Sequence, residues 1–163
     1  MRELVLLRHA HAETGAPHAG ENALADIDRA LSTRGREEAL AAGLWLHQHG
    51  YIPDRTLCSP ARRARETLEL AQDAIGSGET ERVEAIFEAT PGELIALADA
   101  HREVGRLMLV GHNPGFEQLA ALLTTGQSGD FRGMPAAGIA VLRLPVDAVL
   151  EPGVAQLAAF WMP

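Results

Sequence analysis

One junction occurs three times in this chain, and it restricts the fold more than any other feature. A short apolar run ends, a polar residue follows, then proline, and then an amphipathic segment. The three instances are "TLCSP", "AIFEATP" and "LMLVGHNP", with Ser59-Pro60, Thr90-Pro91 and Asn113-Pro114 at the turns. Ser, Thr and Asn are favoured helix N-caps, and proline suits the first helical position because its missing N–H has no helical partner to lose. Glu93, three residues after Thr90, completes a capping-box pattern. Each junction therefore reads as a strand running into a helix. Continuous apolar strands alternating with helices predict a mostly parallel sheet covered on both faces, a three-layer α/β/α sandwich.

The helical segments carry the expected period. After Pro60, the residues Ala61, Ala64, Leu68, Ala71 and Ile75 form one apolar stripe. A helix is expected over residues 32–48, with Leu40, Leu44 and His47 on one side, and "GELIALADAHR" and "GFEQLAALLTT" supply two more. Near the C-terminus "AGIAVLRLP" and "VAQLAAFWM" read as neighbouring strands with no helix between them, hence an antiparallel edge. Two stretches lack periodicity, 12–30 and 126–135, and connections of that kind are often lids or binding loops.

With 163 residues the chain is expected to form one domain spanning 1–163. Its apolar runs fall short of the roughly 18 to 20 residues that cross a membrane. Met1 leads straight into the first strand without a basic and apolar leader, and Cys58 is the sole cysteine, so a cytoplasmic location is expected. Acidic residues outnumber basic ones 22 to 14, for a net charge of −8, which argues against nucleic acid as a partner. The arginines are nonetheless clustered at Arg62, Arg63 and Arg65, a pattern suited to a small anion.

The first strand, "LVLLRHAHAE", raises the functional question, because it drives an apolar run directly into Arg8 and His9. Ligands of open α/β sheets bind outside the carboxyl ends of the strands. Arg8 and His9 stand at that edge on the first strand, Ser59 and Arg63 on the next junction, and Gly111 and His112 on a later one. Helix N-termini at the same edge add free N–H groups and a positive dipole end. A tetrahedral phosphate would satisfy the whole collection.

These segments also resemble a family. "LLRHA" is similar to the Arg-His-Gly signature of the histidine phosphatase superfamily, in the Arg-His-Ala form of its SixA-type branch. "SPARRARET" resembles a second element, Ser-Pro-x-x-Arg-Ala-x-x-Thr, on Ser59, Pro60, Arg63, Ala64 and Thr67. "LVGHNP" looks like a third, with its histidine at His112, and "DRALSTRG" a fourth, on Asp28, Leu31, Ser32 and Gly35. The resemblance implies a phosphoglycerate mutase-like fold and a cofactor-independent, metal-independent phosphatase. His9 would be the nucleophile that becomes a phosphohistidine, with Arg8, Arg63 and His112 holding the phosphate oxygens. Ser59 would be a further substrate contact. Glu88, at the end of the "AIFEA" strand, resembles the general acid of the mutase-like branch, and otherwise reads as a strand-end charge near substrate.

The short chain leaves little room for a deep cap. An open cleft favours a phosphorylated protein, specifically a protein phosphohistidine, over a small phosphate ester. A phosphate-binding module without turnover is the alternative of a different class. His9 and His11 form a His-x-His pair, but metal hydrolases that begin this way need further ligands and a full barrel of about 250 residues. His11 is read as a rim residue. A cysteine phosphatase needs arginine six positions after its cysteine; Ala64 stands there, so Cys58 is read as a small buried residue.

Overall fold

The computed structural model describes residues 1–14, 24–129 and 133–163. The expectations placed on 15–23 and 130–132, the centres of the two aperiodic stretches, lie outside the described residues. The elements are β1 (Arg2–Arg8), α1 (Leu24–Ile27), α2 (Thr33–Gln48), β2 (Arg55–Cys58), α3 (Arg62–Ile75), β3 (Glu79–Arg82), α4 (Pro91–Asp99), β4 (Arg106–Gly111), α5 (Gly115–Thr125), β5 (Ile139–Leu144) and β6 (Gln156–Trp161). The sheet order is β3-β2-β4-β1-β5-β6. Strands β3, β2, β4 and β1 are mutually parallel, whereas β5 runs antiparallel to both β1 and β6. The fold is α/β, as expected.

Side chains along a strand alternate between faces, and here the alternation divides the core in two. Leu4 and Leu6 of β1 and Leu107 and Leu109 of β4 pack with Leu94 of α4 and with Phe116 and Leu119 of α5. Val5, Leu7, Met108 and Val110 face the opposite way, onto Ala42 and Leu46 of α2 and Ala64 and Leu68 of α3. The central strands are apolar on both faces because both faces are covered.

Three local readings are corrected. On α2 the side carrying Leu40 and Leu44 faces outward, and Leu44 is 52% exposed. The buried side is instead built mostly of small residues, Gly35, Ala39, Ala42 and Gly43, together with Glu38 and Leu46. Small residues win there because α2 lies hard against α3: a Cβ on Gly43 would collide with the Ala71 backbone.

The second correction concerns the junctions. Only α4 has the full expected start, with Thr90 as N-cap, a reciprocal bond with Glu93 and Pro91 in the first turn. Helix α3 begins at Arg62 behind Ala61, and α5 at Gly115 behind Pro114, neither with a side-chain cap. Ser59 Oγ accepts from Ala61 N–H and meets His112, and Asn113 Oδ1 accepts from Glu117 N–H at 3.3 Å, so both touch the start of their helix without standing as its N-cap.

Third, "AIFEA" is not a strand. Residues 84–86 form a single 3-10 turn. The strand of this segment is the preceding β3, "ETER", exposed along its length. An edge strand with one open flank has no need of an apolar run, which is why hydrophobicity pointed to the wrong place.

Candidate active site

Sheet register builds the core of the site. Arg8 pairs with Gly111 across β1 and β4, so the next residue on each strand, His9 and His112, emerges side by side. Their ring centroids are 5.2 Å apart. Gly111 admits this crossing because a Cβ would meet Ile86 Cγ2 at 2.7 Å and the Phe116 ring at 2.8 Å.

His9 is held almost wholly by backbone. Its N–H donates to the Gly111 carbonyl at 2.9 Å, and its own carbonyl accepts from Ala137 N–H at 3.0 Å. The next amide, Ala10 N–H, donates to Thr67 Oγ1 at 2.9 Å, and that hydroxyl donates to the Arg63 carbonyl at 2.7 Å. Thr67 thus ties α3 to the turn that carries His9. The His9 ring places Nδ1 2.8 Å from the Ala10 carbonyl. A carbonyl only accepts, so Nδ1 carries the hydrogen and Nε2 keeps its lone pair.

Burial, reinforced by the Arg63, Arg8 and Arg29 charges, pushes the His9 imidazole down to about 4, against the pull of its bond to Ala10. His112 is pushed down to about 3, by burial first and then by His9 and Arg63. Both rings are neutral at pH 7. The sign for stability follows: between about pH 6.5 and pH 4 the unfolded chain takes up these protons before the folded one does. Acidification through that window therefore destabilises the fold. In an NMR titration of the ligand-free protein, the His9 ring is expected to show its midpoint near pH 4; a midpoint at 6 or above would contradict this environment.

His112 is buried, stands edge-on to Phe87 with centroids 5.5 Å apart, and meets Ser59 Oγ through Nε2 at 2.7 Å. Ser59 is fully buried behind His112 and also accepts from Ala61 N–H at 3.2 Å. It holds the histidine and does not line the cleft, which replaces its reading as a substrate contact. Arg63 is 6% exposed, donates to the Asp26 carbonyl at 2.8 Å and lies over Phe87 at 5.9 Å. Arg8 donates to the Met134 carbonyl at 2.9 Å, and Asn113 Nδ2 reaches the same oxygen at 2.7 Å.

Arg8, His9, His11, Arg29, Arg34, Arg63, His112 and Asn113 line one open cleft of about 680 Å³. Among the described residues, three buried side-chain atoms of this cleft have no hydrogen-bond partner: Arg8 Nε, Arg63 Nε and His112 Nδ1. Buried donors are rarely left unpaired, and two such arginine N–H groups beside a neutral imidazole make a place for an anion. Glu88 is not on this wall. It is exposed, with φ of 59°, and lines an adjoining recess that shares Arg63, His112 and Asn113 with the cleft.

Sequence reasoning missed the setting of His11. Its ring Nδ1 lies 2.7 and 2.8 Å from the two oxygens of Glu38, a carboxylate only 8% exposed. The hint available was Ser32-x-x-Gly35: Ser32 caps α2, and a Cβ on Gly35 would strike the His11 carbonyl. Among the described residues, no three His, Cys, Asp or Glu side chains are grouped to hold a metal ion.

The model of the histidine phosphatase superfamily (branch 1) matches residues 4–108. The chain belongs to the histidine phosphatase superfamily. It is 36% identical over 162 residues to the uncharacterised protein Rv1276c of Mycobacterium tuberculosis, covering 94% of this chain and 98% of that one. A protein assigned as phosphohistidine phosphatase SixA from Agrobacterium tumefaciens superposes with a TM-score of 0.83 at 30% identity, covering 99% of this chain and 98% of that one. A second so assigned, from Nakamurella multipartitia, gives a TM-score of 0.82 at 27% identity, with 99% and 96% covered. Within the histidine phosphatases, this chain falls with the SixA-type branch. Among the described residues no helix is long and apolar enough to cross a membrane.

Proposed function

We propose that this histidine phosphatase is a metal-independent hydrolase that passes the phosphoryl group through His9, and that its substrate is a phosphohistidine on a protein. The observation that carries the reading is the set of unpartnered atoms, Arg8 Nε, Arg63 Nε and His112 Nδ1, around a His9 whose Nδ1–H is already bound to the Ala10 carbonyl. In the first step His9 Nε2 bonds to phosphorus as the bond to the leaving group breaks. The fixed cations and N–H donors take up the charge on the equatorial oxygens, and arginine's planar fork serves two of them at once. Water then bonds to phosphorus, the P–N bond breaks, and His9 recovers its lone pair.

Two features support a protein substrate with an imidazole leaving group. The cleft is open and large compared with a phosphate, so a side chain presented on a surface can enter. Imidazole also departs from phosphorus readily once protonated on its own ring, so this step has no need of Glu88, which lies in the neighbouring recess. A small phosphate ester is the second reading, favoured by the same open cleft. A cytoplasmic location fits a protein with one buried cysteine.

The test is turnover of a phosphohistidine peptide and of an aryl phosphate in excess chelator, with an alkaline quench to trap the acid-labile intermediate. Chelator-resistant release, with the phosphoryl group on the peptide containing His9, is the expected result. A faster rate on the phosphohistidine peptide supports the protein substrate. Loss of activity in chelator, or a trapped group elsewhere, would overturn the mechanism.

A further inference from the structure

Glu38 is an unexpected residue for its place. It lies on the inward side of α2, where its neighbours are glycine and alanine, and it is only 8% exposed. A buried carboxylate is costly unless it is paired and hydrogen-bonded. All its described partners lie at one end of the cleft: the His11 amide donates to Oε1 at 3.0 Å, His11 Nδ1 reaches both oxygens, and Arg34 Nε lies 3.4 Å from Oε2. A carboxylate accepts, so Nδ1 of His11 must carry a hydrogen. The exchangeable position is therefore Nε2, on a side chain 43% exposed in the same cleft as His9. A carboxylate fixing one imidazole nitrogen so that the other trades protons is the general construction of acid–base histidines.

The geometry points to His11, seated on Glu38, as the proton carrier of this cleft, so that phosphomonoesters with poor leaving groups are substrates as well. The inference rests on the phosphohistidine reading of His9. In the first step the His9 Nε2–P bond forms, the P–O bond to the alcohol breaks, and the proton on His11 Nε2 passes to the departing oxygen. In the second, water bonds to phosphorus, its proton passes to His11 Nε2, and the P–N electron pair returns to His9. Over the cycle one water is consumed, and alcohol and phosphate are released. The backbone bond from His11 N–H to Glu38 secures the turn, but the second bond, from the ring, aims the imidazole.

The experiment compares kcat/KM for phenyl phosphate, whose leaving group needs a proton, and p-nitrophenyl phosphate, whose leaving group does not. His11→Gln, at a half-exposed position, removes the proton-carrying nitrogen. It is expected to lower the phenyl to p-nitrophenyl ratio by about 10²-fold, within the range of general acid catalysis. Glu38→Gln keeps an acceptor for the backbone amide and is expected to lower the same ratio by a smaller factor. A ratio equal to wild type in His11→Gln overturns the inference, because a role in binding or folding would slow both esters alike. A wild-type protein that hydrolyses p-nitrophenyl phosphate alone, or neither ester, overturns it too. His9→Ala separates the two readings: turnover surviving in that variant removes the phosphohistidine mechanism, whereas an inactive His9→Ala beside an unchanged ratio in His11→Gln removes the proton carrier alone.

Discussion

Replacing His9 by alanine is expected to lower kcat by about 10⁴-fold or more, the scale on which covalent catalysis fails without its nucleophile. The fold should survive. The His9 backbone bonds to Gly111 and Ala137 do not involve the ring, and the ring's one bond is to the adjacent Ala10 carbonyl. Thermal unfolding at neutral pH should shift little, and inorganic phosphate should still bind, because Arg8, Arg63 and His112 remain on the cleft wall. The variant should also resist mild acid better than wild type, since one imidazole held down to about 4 by burial is gone. Residual activity near the wild-type level would place the nucleophile elsewhere.

The second large effect concerns Arg63. Its guanidinium is buried between Phe87 and the Asp26 carbonyl, with Nε unpartnered and the cleft on its open side. Arg63→Ala is expected to cost about 10²–10³-fold in kcat/KM, the size of losing one fixed donor to transition-state charge. Arg63→Lys should recover little of this. An ammonium has no planar fork and cannot stack on Phe87 while reaching both the Asp26 carbonyl and a phosphate oxygen. Steady-state kinetics on the two variants, with phosphate inhibition measured alongside, checks the claim; a lysine variant at full rate would reduce Arg63 to a bulk positive charge.

The parts of the fold legible in sequence are those written as apolar pattern. β1, β4 and β5 are buried on both faces, and the stripe on α3 faces the sheet as its spacing implies. The parts that were not legible are governed by long-range partners. Nothing local distinguishes β3, whose four polar residues pair only along one flank with β2. Leu40 and Leu44 share one side of α2 as their spacing implies, but close contact with α3 buries the side of Gly43 and Ala42.

The cleft followed the same division. Arg8, His9, Arg63 and His112 stand at strand ends and helix starts, and the sheet brings such positions to one edge. Ser59 stands at that edge as well, yet its hydroxyl turns inward to His112. Glu88 was placed from a strand that is absent, and the left-handed turn there sends it into the recess. The pairing of His11 with Glu38 joins residues 27 positions apart, and the nearby Ser32-x-x-Gly35 pattern marks the packing of the turn but not this partner.

The way His9 is held has a consequence for evolutionary drift. Its N–H, its carbonyl and its ring are secured by Gly111, Ala137 and Ala10 through main-chain atoms. Many side chains can be exchanged around such a scaffold without loosening it, provided the sheet keeps its register, Gly111 stays free of a Cβ and Thr67 keeps its hydroxyl. Divergent sequences can then preserve one arrangement at the strand ends.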